Sequence, residues 1–515
     1  MVILGSVSSF KRRAEEILMK AYKELEDRFR RLALIDEVRA VLGWDWATMM
    51  PKGGAGSRAE QLSELSLVAH ELMLDPQLED LLNEAELYID KLDDWHTSNL
   101  LEMRRLWLHN SALPATLVEA LSKATSACEL CWRDAKSEDD FVGVLPKFAV
   151  VVQLVREKAQ AKADALSVNP YDALLDQYEP GARATHIDPV FDDLIDFLPS
   201  LTDRVIEHQQ TFEPARPFKG PFPVANQREL SKRLMGVVGF PFDHGRLDES
   251  HHPFSGGTPE DLRITTRYEE ANFTSALMAV LHETGHALYD YGLPEAWRRQ
   301  PVGEAPGMSI HESQSLLIEM QVCRSPEFIR SITPMIRDAF GTEDPALTAD
   351  NLLRHYHCVE RSLIRVEADE VTYPSHVILR YRLEKLIISG ELPPGELPGA
   401  WREGMREFVG VEPSDDRDGC LQDIHWYGGD FGYFPTYMLG ALSAAQLFEA
   451  AKRDDPKILP SIASRDFGPL YAWLRPNVHS LGRLFPAPAL INRATGNKLS
   501  TAAFKAHLNA RYLGC

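Results

Sequence analysis

The chain has 515 residues, 44% of them hydrophobic, with 55 basic against 76 acidic side chains and a formal net charge of −21. That length supports a substantial core, and the acidic balance argues against nonspecific binding to nucleic acid or to an anionic membrane surface. Six irregularly spaced cysteines suit a reduced compartment; no apolar run spans a bilayer, and Met1 to Phe10 lacks the regions of a signal peptide, so the expected location is the cytoplasm.

The pattern is helical nearly throughout. Residues 1–31 read as an N-terminal helical extension, in which Lys11, Arg12, Arg13, Lys20 and Lys23 mix with Glu15, Glu16, Glu24 and Glu26 on a solvated face above Phe10, Ile17, Leu18 and Leu25. Apolar recurrence at three and four residues predicts helices over 8–41, 57–73, 97–109, 115–134 and 146–166. Cys128-Glu129-Leu130-Cys131 is a lone C-x-x-C without a second pair or a strand-helix setting, and is not read as a metal or redox site. The proline- and glycine-bearing stretch from Phe240 to Thr266 has room for a small sheet. Helices return over 309–340, 348–390 and 436–453, and Thr501 to Tyr512 predicts a terminal helix. No linker or repeat divides the chain, which reads as one all-α unit over 1–515 with two lobes.

The chemistry is concentrated in His282-Glu283-Thr284-Gly285-His286. Phe273, Leu277, Leu281, Gly285 and Leu288 mark one buried face of a helix from near Asn272 to Tyr291, and Gly292-Leu293-Pro294 stops it. Residues four apart on a helix return to within about 40° and ~6 Å of each other, so one divalent ion can bridge both imidazoles. Glu283 leans to the same side, where it could take a proton from water activated by the ion.

A catalytic site of this kind needs a third protein ligand and one open position. After a proline- and glycine-rich reversal, a second helix opens Ser309-Ile310-His311-Glu312-Ser313-Gln314, and Glu312 is the candidate. Ser309-x-x-Glu312 is equally a capping box, and Glu319 and His311 are rival ligands. Two other functions compete. Glu283-x-x-His286 could be half of a di-iron site, for which Glu249-Ser250-His251-His252 is the nearest second pair. A non-catalytic peptide-binding scaffold could retain a structural metal, although such a site has no use for Glu283.

Further blocks lie along the chain: His252-Pro253-Phe254, Asp261-Leu262-Arg263-Ile264-Thr265, His311-Glu312-Ser313-Gln314, Ile364-Arg365-Val366-Glu367-Ala368-Asp369 and Gly419-Cys420-Leu421-Gln422-Asp423-Ile424-His425-Trp426. With the pentapeptide, these six ordered blocks make residues 32–514 resemble the carboxypeptidase Taq family of metallocarboxypeptidases. The resemblance implies a nearly all-helical fold with a long central groove, one zinc ion (cobalt as the alternative) and a homodimer. It also implies release of single residues from peptides with a free C-terminal carboxylate, with an oligopeptidase or dipeptidyl-carboxypeptidase as the alternative.

By the same resemblance His282, His286 and Glu312 are the metal ligands, Glu283 is the general base, and His425 and Tyr433 stabilise the oxyanion. A tetrahedral intermediate needs such donors. The aromatic, glycine-rich stretch from His425 to Pro435 suits close approach to a ligand and equally an ordinary packed turn. Tyr427 departs from the small residue expected there. Arg365, Arg263 and His252 are the substrate-side candidates, since a guanidinium fork matches a terminal carboxylate. Arg365 falls on a predicted helix with Asp369 four residues on, so an intrahelical ion pair is its alternative, and Arg263 could pair with Asp261.

Overall fold

The computed structural model describes residues 3–341 and 344–514, with side chains from Lys20 onward. Among these are twenty α-helices and one three-stranded sheet, the all-α architecture with a small sheet that the periodicity implies. The first helix runs Ile3–Thr48. The side chains of Phe10, Ile17 and Leu18 lie outside the described residues, whereas Leu25 is buried with Tyr22 and Phe29 against Leu78, Leu82, Leu100 and Met103 in a small N-terminal core.

Two larger apolar cores make up the rest. One is built mainly from residues 128–205 and 359–442, the other from 222–356 and 444–494. The helix Pro435–Asp454 joins them: Met438, Leu439 and Leu442 enter the first core, while Ala444, Leu447 and Phe448 enter the second. Helical spacing sends residues three and four apart to one face, so a helix apolar all round belongs between two cores.

Two of the expected long helices are broken. Residues 309–340 form Met308–Leu316, a π-helical continuation Leu317–Cys323 and, after a Ser325 cap and Pro326, a separate helix Pro326–Phe340. Residues 348–390 form Ala349–Tyr356 and Tyr373–Ser389, with only a 3₁₀ turn at Arg365–Glu367 between them. The break has a local cause. The Asp369 carboxylate accepts from the amides of Glu360, Val371 and Thr372, an acidic side chain competing with the helical ladder for backbone donors.

The sheet has strand order β1-β3-β2, with β1 (Gly245–Glu249) parallel and β2 (Phe254–Thr258) antiparallel to β3 (Asp261–Thr266). Leu247, Leu262 and Ile264 pack on Val280 and Ala287, so the sheet braces the helix that carries the pentapeptide. No described helix is long and apolar enough to cross a membrane.

The terminal helix, Ala502–Leu513, is tied down by one buried carboxylate. Glu370 accepts from His507 Nε2 and Arg511 Nη1 at 2.9 Å each and from Tyr512 Oη at 3.1 Å. Burial opposes its ionisation, but His507 and Arg511 outweigh that and hold it well below the usual carboxylate range. Burial pushes His507 itself down, so Arg511 is the principal counter-charge. A depressed folded pKa gives stability that is complete above the unfolded value near 4.5 and lost as pH falls below it. Glu370→Gln, which leaves Arg511 buried without a charge partner, is expected to cost about 3–5 kcal/mol at pH 7. In denaturant titrations the gap from the parent protein should begin to narrow below about pH 4 and go on narrowing as pH falls further.

Candidate metal centre

The pentapeptide lies on the helix Phe273–Gly292, capped by the Asn272 side chain, which accepts from the Thr274 amide. Glycine at 285 is required by packing. A Cβ there would lie 2.7 Å from Ser315 Cα and 2.8 Å from the Gln314 carbonyl oxygen, so the helix Met308–Leu316 can approach only because that methyl is missing. Gly440 does the same on the other side: its Cβ would sit 2.9 Å from Glu312 Cβ and Cγ. The helix that carries Glu312 is thus wedged between two others that each supply a glycine.

The capping-box alternative for Glu312 is not what forms. The N-terminus of its helix is capped from a distance by Glu179, whose buried carboxylate accepts from Ser309 N at 2.9 Å and Ser309 Oγ at 2.6 Å. Burial raises Glu179 to about 7, with the two Ser309 bonds acting in the opposite direction. With Ser309 occupied, Glu312 turns to the histidines. Its carboxylate lies 3.4 Å from His286 Nε2 and 4.0 Å from His282 Nε2. Ligand atoms of His282, His286 and Glu312 fall within 4.8 Å of one another, the one such group of three among the described residues.

Two nitrogens and a carboxylate oxygen converging from two rigid helices fit a zinc-type ion with an open position. The rival ligands have other partners. Glu319, carried on the π-helical turn, accepts from His282 Nδ1 at 2.9 Å and is itself held by Arg324 at 2.6 Å, the outer support that leaves Nε2 free for a metal. His311 bonds Asp290 at 2.9 Å and stacks on the His286 ring at 4.6 Å. The second pair of the di-iron alternative lies elsewhere, with Glu249 on β1 paired to Arg228.

The charges are strongly coupled. Burial works to lower His282, but Glu319, Glu312 and Glu283 raise it to about 10; burial and the neighbouring imidazoles push His286 down to about 4. Burial also opposes ionisation of Glu312, yet its bond to His286 and the charge of His282 hold it near 2. Glu283 is 8% exposed, and burial with the nearby carboxylates raises it to about 7. It makes no hydrogen bond to the other three, although its carboxylate lies close enough to feel the charges of His282 and Glu312.

The segment from His425 to Tyr433 comes near the site at Tyr433, which feels the charge of Glu312. Burial, reinforced by Arg365 and Arg380, pushes His425 down to about 4, leaving a neutral imidazole whose buried Nδ1 has no partner. Burial and Glu312 raise Tyr433, so its phenol keeps its proton. Tyr427 turns the other way, into the core, where its hydroxyl donates to the Cys420 carbonyl at 3.1 Å and its ring meets Phe148. The bulk that looked out of place in the sequence therefore stays out of the site.

Arg365 requires a correction. It lies on the 3₁₀ turn and does not pair with Asp369; its Nη2 and Nε donate to Asp423 at 2.7 and 3.2 Å and Nη1 to Tyr373 at 3.1 Å, beneath the rings of Phe434 and Tyr437. Arg263 takes its alternative: it forks onto Asp261 at 2.7–3.1 Å and lies 4.2 Å over the Trp44 ring, sharing no contact with the triad. His252 is exposed in the β1–β2 turn, where its carbonyl accepts from Ser250 and Thr265. Tyr437, not singled out in the sequence, sets its ring edge-on against Tyr433 at 5.3 Å, four residues on, a spacing that could have revealed it.

One hollow is lined by two of the triad residues and another by His311, whose ring stacks on His286. The first, of about 220 Å³, is lined by His282, Glu312, Met320, Val366, Tyr373 and Ala441. The other, of about 380 Å³, is lined by Tyr178, Gly257, Thr258, Gly307, Met308 and His311.

The family model for carboxypeptidase Taq (M32) metallopeptidase matches residues 24–512. The chain belongs to this family. It is 39% identical over 507 residues to thermostable carboxypeptidase 1 of Thermus thermophilus, covering 96% of this chain and 98% of that one. It is 33% identical to the protein of the same name from Pyrococcus furiosus, over 97% and 100% of the two chains. Metallocarboxypeptidase 1 of Trypanosoma cruzi superposes with a TM-score of 0.94 at 39% identity, covering 96% and 99%. As an M32 enzyme the chain is a metal-dependent carboxypeptidase acting on peptides.

Proposed function

We propose that His282, His286 and Glu312 hold a single divalent ion, zinc or alternatively cobalt, and that Glu283 is the general base for hydrolysis of the C-terminal peptide bond. The observation that carries this is the convergence of the three ligand atoms within 4.8 Å with Glu283 beside them. The ion when bound supplies Lewis acidity, making water acidic enough to attack at neutral pH and polarising the scissile carbonyl. Glu283 accepts the proton released by the attacking water and passes it to the leaving amine. The His425 N–H and the Tyr433 hydroxyl are the donors toward the developing oxyanion.

Arg365 selects a free carboxylate. Three of its five N–H groups are taken by Asp423 and Tyr373, leaving two for the substrate. It adjoins the smaller hollow through Val366 and Tyr373, which gives the released residue a place on that side. Arg365→Met is expected to lower kcat/KM on peptides with a free C-terminus by ~100-fold or more, the size of a lost charge-assisted pair. It should bring that value close to the slow rate on C-terminally amidated peptides. If the parent enzyme processes amidated and free peptides equally, Arg365 has no such role. A cytoplasmic homodimer is the setting in which we read this single catalytic unit.

A further inference from the structure

The segment carrying His425 and Tyr433 is irregular, so something must fix it. The helix Tyr373–Ser389 grips it at two points one turn apart. Arg380, fully buried, donates to Asp423 at 2.6 Å and to Gln422 Oε1 at 2.7 Å, just before His425. Glu384, also fully buried, accepts from Trp426 Nε1 at 2.9 Å and from the Gly432 amide at 3.0 Å. Those two donors are the residue after His425 and the residue before Tyr433. A third donor, Tyr171 Oη at 2.7 Å, completes the carboxylate. Among the described residues, no basic side chain bonds it.

We propose that Glu384 is a positioning residue of the hydrolytic reaction, holding both ends of the His425–Tyr433 segment so that its two donors face the metal centre together. This rests on the oxyanion roles assigned above. Burying a carboxylate without a cation is costly, and an apolar residue would fill the same volume without that cost. What an apolar residue cannot do is accept from an indole N–H and a backbone N–H at once. The segment has no slack to reach another anchor: Gly432 has φ +84°, and a Cβ on it would meet the Leu174 carbonyl carbon at 2.8 Å.

Glutamine at 384 cannot satisfy the arrangement in either orientation. Its amide nitrogen would face either the Trp426 N–H or the Gly432 N–H, while Tyr171 can turn its hydroxyl round and accept. Glu384→Gln is therefore expected to lower kcat at least 10-fold with KM within about threefold and one metal per chain retained. Tyr171→Phe, which leaves both loop anchors in place, should stay within about twofold of the parent kcat.

In a Tyr433→Phe background the loss from Glu384→Gln should shrink, and in a His425→Ala/Tyr433→Phe background it should largely vanish, because the donors it positions are gone. Multiplying losses would show a general structural effect and overturn the proposal, as would an unchanged kcat in Glu384→Gln. Should that variant not fold, Trp426→Phe removes one anchor and keeps the ring, and an unchanged kcat there is equally contrary. If Tyr433→Phe and His425→Ala both keep full kcat, the oxyanion assignment itself falls, and the Glu384 proposal with it. If they lose kcat and Glu384→Gln does not, only the Glu384 role is lost.

Discussion

Glu283→Gln is expected to lower kcat by ~10²–10⁴-fold, the range for loss of a positioned general base, while metal content stays at one ion per chain. The side chains are nearly isosteric and Glu283 makes no hydrogen bond to the three ligands, so the triad has no reason to move. What changes is proton affinity. Burial and the surrounding carboxylates raise Glu283 to about 7, whereas an amide takes no proton at any working pH. A charged ion in the triad would draw that value down again, keeping the carboxylate ionised and ready to accept. Steady-state kinetics with metal analysis of the same sample checks this; near-normal kcat would remove Glu283 from the mechanism.

The second large effect is at Glu312. Glu312→Ala is expected to weaken metal binding by more than ~100-fold, whereas Glu319→Gln, which removes only the support of His282 Nδ1, should fall within the ~10–100-fold typical of outer partners. The comparison separates the two carboxylates that sequence left as rivals. It follows from their contacts: Glu312 faces both ε nitrogens at 3.4–4.0 Å, while Glu319 bonds the far side of one ring and Arg324. Competition against a chromogenic chelator measures both variants, and reversal of the order would exchange the roles.

The contrast between these two glutamates shows where sequence reasoning reached and where it stopped. The His282–His286 pair and its helix were legible because they depend on local spacing, and the structure keeps that helix within one residue of its expected bounds. Glu312 was ambiguous because Ser309-x-x-Glu312 satisfies a local capping rule; a distant residue, Glu179, decides otherwise by taking Ser309 for itself. Apolar recurrence predicts a helix through Arg365, and Asp369 interrupts it with three backbone bonds. Glu384 gave no local sign at all, since its partners Tyr171, Trp426 and Gly432 are far along the chain. Gly285 was read as part of a buried face, but only the packed neighbour shows why glycine is needed there.

The His282–His286–Glu312 centre is proposed to serve a metal-dependent enzyme that removes residues singly from the C-terminus. Mass spectrometry of timed digests of a defined peptide, with and without chelator, tests it most directly. The expected result is a ladder shortening by one residue at a time from the C-terminus, abolished by chelator and restored by zinc or cobalt. Products shortened by two residues, internal fragments, or a ladder indifferent to chelator would contradict it.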